Sequence, residues 1–282
     1  MLRPYATRVT NRGAPHRLVL SRALEKTMDY ETLKVERDGA LMTVRFHRPD
    51  KRNAINRQMH LELQALCRQL ADDFETRVVI LTGEGKAFSS GADTSEWRDP
   101  GSVNELEVRH TSGLGSRTSA AIENLDQITI AAVHGFAVGG AVVLTVCCDL
   151  RVAGASAWFS IPEVELGLPL GWNALPRLAR EIGHARALEL TITGDRFDAG
   201  QAHEYGLVTH LAPDGEEERT ARDLAAKILS RPPLPVALTK ATIRALKRGT
   251  EMGDAAYSDA DLLLYSRLMA QRRARLEKEG RA

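Results

Sequence analysis

The sequence predicts an α/β fold with a helical C-terminal part, on three observations. β-branched runs alternate with stretches whose apolar residues fall at helical spacing, glycine-rich turns lie between strand and helix signals, and the last third keeps only the helical period. The elements follow in order. LMTVRF (41–46) alternates as a half-buried strand does. Met59, Leu63, Leu66 and Leu70 then recur on one helical face, and RVVILTG (77–83) is a β-branched run closed by glycine, as a covered strand would be. The unit is strand, helix, strand. ITIAAVHG (128–135) and DLRVAG (149–154) repeat the strand signal, while in FAVGGAVVLTVCCDL (136–150) a glycine pair opens an apolar segment of helix length. WFSIPE (158–163) adds a short extended piece. Ala221, Leu224, Ala225, Ile228 and Leu229 form one apolar stripe, and Pro232, Pro233 and Pro235 punctuate before the next helix. From Asp254 to Glu279 the pattern is again helical, with Leu262, Leu263, Leu268 and Met269 on its apolar side. No internal repeat or low-complexity linker divides the chain, so the organisation is an extension (1–28), an α/β core (29–225) and a helical region (226–282).

Composition narrows the partners. A net charge of +1 on 282 residues leaves no field for capturing nucleic acid or an anionic membrane, which points to small molecules or copies of the same chain. No run approaches the ~18 apolar residues of a membrane span. Cys67 and the adjacent Cys147 and Cys148 make neither a disulfide framework nor a zinc spacing, as expected of buried thiols in a reducing compartment. In residues 1–28, Arg3, Arg8, Arg12, Arg17, Arg22 and Lys26 face a single acid, Glu25. Two readings stand: an Arg-rich transit segment to the mitochondrion, or a disordered extension ahead of a true start at Met28, with the protein cytoplasmic.

Two turns carry small residues where a ligand would need a close backbone approach. GKAFSSGADTSEW (85–97) follows a strand and places Ser89, Ser90 and Gly91 before a helix start that Asp93 or Thr94 would cap. Gly135 to Gly140 is the second strand-to-helix turn. Each alone is also what any tight connection looks like, but two such turns facing each other offer one amide donor apiece.

Taken in order and spacing, HRPDKRNAIN (47–56), GKAFSSGADTSEW (85–97), IAAVHGFAVGGAVVLTVCCDLRVAGASAWFSIPEVELGLPLGW (130–172) and PRLAREIGHARALELTITGDRFDAGQAHEYGLV (176–208) resemble the crotonase superfamily, the enoyl-CoA hydratase/isomerase family. The resemblance runs from about Tyr30 to about Pro235. It implies a crotonase-like spiral of β-β-α units with a helical C-terminal trimerisation region, a homotrimer or dimer of trimers, and an acyl-CoA thioester as substrate. No metal or redox cofactor is implied, coenzyme A being part of the substrate. The family's oxyanion hole would be formed by the backbone N–H groups of Ala92 and Gly140, which stabilise the negative charge that appears on a thioester oxygen when a neighbouring proton leaves. Ser90, Gly91, Asp93, Thr94, Phe136, Gly139, Val143 and Pro162 would line the substrate, with Arg52 and Ala54 near the coenzyme A portion. Trp172, Trp97 and Phe136 are candidates for the acyl-pocket wall, and His134 for holding the glycine turn.

Hydratases of this family use two glutamates. One position here is Val143; the other, in a PE dipeptide, is Glu163. Adding water needs both a base and an acid, whereas shifting a double bond from the 3,4 to the 2,3 position needs one base that reaches two carbons. The resemblance therefore implies a 3-enoyl-CoA to 2-enoyl-CoA isomerase with Glu163 as base, its acidity lowered by apolar neighbours Ile161, Val164 and Leu166. A hydratase of low activity, another enolate reaction, or a non-catalytic acyl-CoA binding protein are the alternatives. Glu165 would point to the opposite face if the backbone there is extended.

Overall fold

The computed structural model describes residues 30–96 and 104–249. The chain begins with β1 (Leu33–Asp38) and β2 (Leu41–Phe46), crosses through α1 (Arg57–Ala71) to β3 (Val78–Gly83), and continues through α2 (Glu105–Ser112) and α3 (Leu114–Glu123) to β4 (Ile128–Val133). Next come β5 (Phe136–Val138), α4 (Gly140–Val146), β6 (Leu150–Gly154) and β7 (Trp158–Ser160). The last part holds α5 (Ala174–Ile182), α6 (His184–Thr193), β8 (Phe197–Asp198), α7 (Ala199–Glu204), β9 (His210–Ala212), α8 (Glu217–Leu229) and α9 (Pro233–Gly249).

Six strands form one sheet in the order β1-β2-β3-β4-β6-β9, antiparallel at β1-β2 and parallel from β2 onward. A second sheet, β5-β7-β8, stands beside it. Both faces of the large sheet are covered, as parallel strands require. Met42, Val44 and Phe46 pack under α1 against Met59, Leu63 and Leu70, while Leu41, Val78 and Ile80 meet Ala221 and Ala225 of α8. For this reason β2 is not the half-buried strand its alternation predicts. Its polar face lies beneath α8, where Thr43 accepts a hydrogen bond from Arg222 and Arg45 is paired with Glu218.

Helix α1 is capped by Asn56, whose side chain accepts from the Met59 N–H. Its buried Glu62 accepts from Glu31 N, Thr32 N and Thr32 Oγ1, tying down the start of the first strand. The segment 136–150 is not one helix: it divides into β5, the seven residues of α4 and the entry to β6. Residues 158–163 are extended only to Ser160; Pro162–Leu166 form a 3-10 turn, with proline presetting its first φ. Helix α8 runs through the 225/226 boundary drawn from composition. Cys67, Cys147 and Cys148 are buried and free. Among the described residues no helix is long and apolar enough to cross a membrane. The basic segment 1–28, Trp97 and the helical pattern at 254–279 lie outside the described residues.

Candidate active site

The two glycine turns meet. Ile55 N donates to Gly91 O (2.8 Å) and Asp93 N donates to Ile55 O (3.0 Å), so Ala92 is held from both sides while its own N–H is used by neither bond. The second turn is fixed by Val138 N to Ser89 O (3.2 Å) and Gly139 N to Ser160 O (2.8 Å), after which Gly140 opens α4. The first N–H groups of a helix have no partner within it. Among the described residues neither the Ala92 nor the Gly140 amide has a protein acceptor. Gly91 makes the meeting possible: its φ is +83°, and a Cβ there would lie 2.4 Å from Val138 O and 3.3 Å from Gly140 N.

Both amides border a cavity of about 530 Å³. Glu163 enters it from the 3-10 turn, its carboxyl packed on Gly139. The residue is half-buried, but Oε2 is fully buried and without a hydrogen-bond partner among the described residues. Burial pushes this carboxyl up to about 7, with one backbone hydrogen bond as the only opposing influence. Of the neighbours expected to desolvate it, only Ile161 is buried; Val164 is 37 % and Leu166 56 % exposed, because the 3-10 turn swings them toward solvent, with Leu166 still bordering the cavity. The Gly139 backbone packs directly against the carboxyl. Glu165 lies on a turn and not on an extended strand, yet it still leaves the cavity, its Oε1 lying beside Gly194. Val143 lines the cavity one turn of α4 beyond Gly140 and is 1 % exposed.

Ser90, Gly91, Asp93, Thr94, Gly139 and Pro162 also border the cavity. Burial alone would raise the Asp93 carboxyl, but hydrogen bonds from Ser95 and Arg48 outweigh it and hold the group below the ordinary carboxylate range. Asp93 thus clamps the Ala92 loop: Oδ2 meets Arg48 Nη1 at 2.8 Å, and Oδ1 accepts from Ser95 N at 3.1 Å. Phe136 does not wall the cavity. It pairs in register with Trp158 and stacks on that ring, 4.9 Å between centroids. Arg52 and Ala54 are likewise outside the lining; the Arg52 carbonyl accepts from Ser90 N, and the Ala54 carbonyl is bound by Arg48. His134 Nε2 donates to Gly85 O (3.1 Å), holding the loop before the first turn.

Trp172, a candidate for the acyl-pocket wall, borders the cavity; sequence reasoning missed its backbone conformation and a second wall residue, His60. Trp172 and Asn173 have φ of 62° and 57°, a conformation rare for large side chains. It lays the indole against Gly140 at one edge and Gly115 of α3 at the other, where an added Cβ would sit 2.4 and 2.1 Å from ring atoms. His60 of α1 meets Trp172 edge to face, at 4.8 Å and 77°. A single histidine beside core positions gave no signal of its own.

Comparison with known proteins identifies the family. The family described as Enoyl-CoA hydratase/isomerase matches residues 36–281. The chain is 35 % identical over 225 residues to the short-chain-enoyl-CoA hydratase of Clostridium acetobutylicum, covering 79 % of this chain and 84 % of that protein. It is 35 % identical over 215 residues to the crotonyl-CoA hydratase of Syntrophomonas wolfei, covering 76 % and 82 %. The crystal structure of an enoyl-CoA hydratase/isomerase from Mycobacterium paratuberculosis superposes with a TM-score of 0.80 at 28 % identity, over 89 % of this chain and all of that one. With a family match over most of its length and a mixed α/β architecture shared with that structure, the chain belongs to the enoyl-CoA hydratase/isomerase family of the crotonase superfamily.

Proposed function

We propose that the protein isomerises 3-enoyl-CoA to 2-enoyl-CoA, with Glu163 as its single base and the Ala92 and Gly140 amides as its oxyanion hole. The observation that carries this reading is the Glu163 carboxyl: buried, unpaired at Oε2, pushed up to about 7, and in one cavity with the two amides. The carboxylate takes a proton from C2 of the acyl group, and the electron pair moves onto the thioester oxygen. That oxygen becomes negative, and two preorganised N–H donors stabilise it more than they stabilise the neutral carbonyl. The electrons return through the conjugated system, C4 takes the proton back from Glu163, and the double bond lies at 2,3. A base whose pKa is close to the working pH both accepts and returns the proton readily. The reaction shifts a proton and an electron pair within one molecule with no net oxidation or reduction, so it requires no redox group; coenzyme A arrives with the substrate.

The relatives' names favour hydration as a second reading. Hydration calls for a second acid, and Val143 stands where the family carries it. The other carboxylates bordering the cavity are engaged or outlying: Asp93 binds Arg48, Glu96 accepts from Arg57 N, and Glu107 is exposed. Incubation with 3-enoyl- and 2-enoyl-CoA, for wild type and Glu163→Gln, separates the readings. Isomerisation of the 3-enoyl substrate, reduced at least about 10³-fold in the variant, is the expected result. Hydration of the 2-enoyl substrate at a greater rate would overturn it. Assembly as a homotrimer or dimer of trimers belongs to the same proposal, supported by the apolar side chains that α5, α6 and α9 leave exposed, among them Leu175, Leu188, Ile192 and Leu238.

A further inference from the structure

His60 is a buried histidine, 6 % exposed, in the wall of the cavity. Its surroundings determine which ring nitrogen carries the proton. Thr118 Oγ1 lies 2.9 Å from His60 Nδ1, 2.9 Å from Gln64 Nε2 and 3.0 Å from Leu114 O. An amide nitrogen can only donate and a carbonyl can only accept, and all three contacts are satisfied together only when the single hydroxyl hydrogen of Thr118 goes to Leu114 O and Nδ1 carries the imidazole proton. The hydroxyl oxygen then accepts from Gln64 and from His60 Nδ1–H. Burial, reinforced by the nearby Arg117, lowers the imidazole to about 4 and keeps it neutral. Nε2 therefore has a bare lone pair.

That lone pair has no protein donor among the described residues. Nor is it sealed in the core, for Nε2 is not one of the buried polar atoms left without a partner. Its opening is the cavity that His60 lines. The position within the cavity follows from Trp172, whose indole lies against Gly140 and also meets the His60 ring edge to face. The indole thus stands between His60 and the Gly140 amide of the candidate thioester site. The same cavity is lined by the apolar Leu114, Val143 and Leu170, by Gly115, and by the hydroxyl residues Thr111 and Ser112. Water can serve Nε2 in an empty cavity. A plain alkyl chain would displace that water and leave a buried acceptor unpaired, whereas a chain with a donor at that depth restores the bond.

We infer that His60 is a specificity-determining residue that selects acyl groups carrying a hydroxyl on the chain beyond the reacting carbons. The inference rests on the acyl-CoA reading above for the head of the ligand, and not on which reaction Glu163 performs.

Saturated ligands keep the two questions apart, since they can bind but not isomerise. Titration calorimetry would compare hexanoyl-CoA with 4-, 5- and 6-hydroxyhexanoyl-CoA on wild type, His60→Phe and His60→Leu. One hydroxylated ligand is expected to bind wild type roughly tenfold tighter than hexanoyl-CoA, and this preference falls to unity or reverses in both variants. A nitrogen-15 NMR measurement on wild type covers the case in which the variants fold poorly: the His60 Nε2 resonance should shift on adding the preferred hydroxylated ligand and not hexanoyl-CoA. Equal binding of all four ligands, a preference that survives both substitutions, or an unmoved Nε2 resonance overturns the inference and leaves the acyl-CoA reading intact. Failure of hexanoyl-CoA and its derivatives alike to bind overturns both.

Discussion

As the proposed base, Glu163 combines two demands that oppose each other. A carboxylate that must lift a weakly acidic proton needs a raised pKa, and the means of raising it, burial without a partner, destabilises the charged form. The linkage has a definite sign. Because the folded state holds this proton up to about 7 and the unfolded chain releases it near 4.5, the folded state binds more protons between those values, and stability falls as pH rises through them. Glu163→Gln is expected to remove that slope and to stabilise the fold at pH 8 by about 1–3 kcal/mol, measured by urea denaturation at pH 4 and pH 8. The activity profile has the opposite sense. Wild-type kcat/KM for a 3-enoyl-CoA should rise as pH passes about 7, since only the ionised carboxyl accepts a proton. Asp93 illustrates the contrary arrangement in the same cavity: held low by Ser95 and Arg48, which bind its two oxygens, it positions a loop.

At the scale of elements, three residues from separate segments specify one another. Trp172 occupies the space above Gly140 and Gly115 because neither has a side chain. Gly115 sits inside α3, where replacing glycine with alanine ordinarily stabilises a helix by about 1 kcal/mol. Here the added methyl would lie 2.1 Å from the rigid indole. Gly115→Ala should therefore destabilise by about 1–3 kcal/mol and shift the tryptophan fluorescence, checked by thermal melting and emission spectra. Gly91→Ala meets backbone from the opposite turn, at a φ that alanine rarely adopts. A loss of at least about 10²-fold in kcat, with the circular dichroism of a folded protein, is the expected outcome if the Ala92 amide is displaced.

Over the whole molecule, α8 closes the face of the large sheet that α1 leaves open. Helix α9 is anchored by Lys240, whose Nζ reaches Gln127 O and Asp149 Oδ2, both at 2.6 Å, while Asp149 also accepts from Thr129 N at 2.8 Å. Lys240→Ala removes one member of a mostly buried pair and should destabilise by about 2–4 kcal/mol, seen as earlier proteolysis within α9 and a lower urea midpoint. Light scattering tests the assembly proposal: three or six times the 31.0 kDa chain mass is expected, and a monomer at micromolar concentration would exclude it.

Much of this was legible in one dimension because it depends on neighbours along the chain. The β-branched run of β3, the 3.6-residue stripe of α1 and the glycines of both turns follow from local sterics, and the ordered motifs singled out Glu163, Ala92, Gly140 and Val143, which the fold brings to the border of one cavity. What the tertiary structure alone decided depends on contacts between segments distant in sequence. The alternation of β2 hid a helix that covers its polar face, Phe136 was drawn to Trp158 by strand pairing, and Val164 and Leu166 were turned outward by a 3-10 turn that proline begins. His60 became part of the cavity only when α1 packed on α3 and Trp172, and its protonation was set by Thr118, 58 residues away. Periodicity reports which face a residue occupies; which partner meets that face, and so which atoms remain free, is determined by packing across the fold.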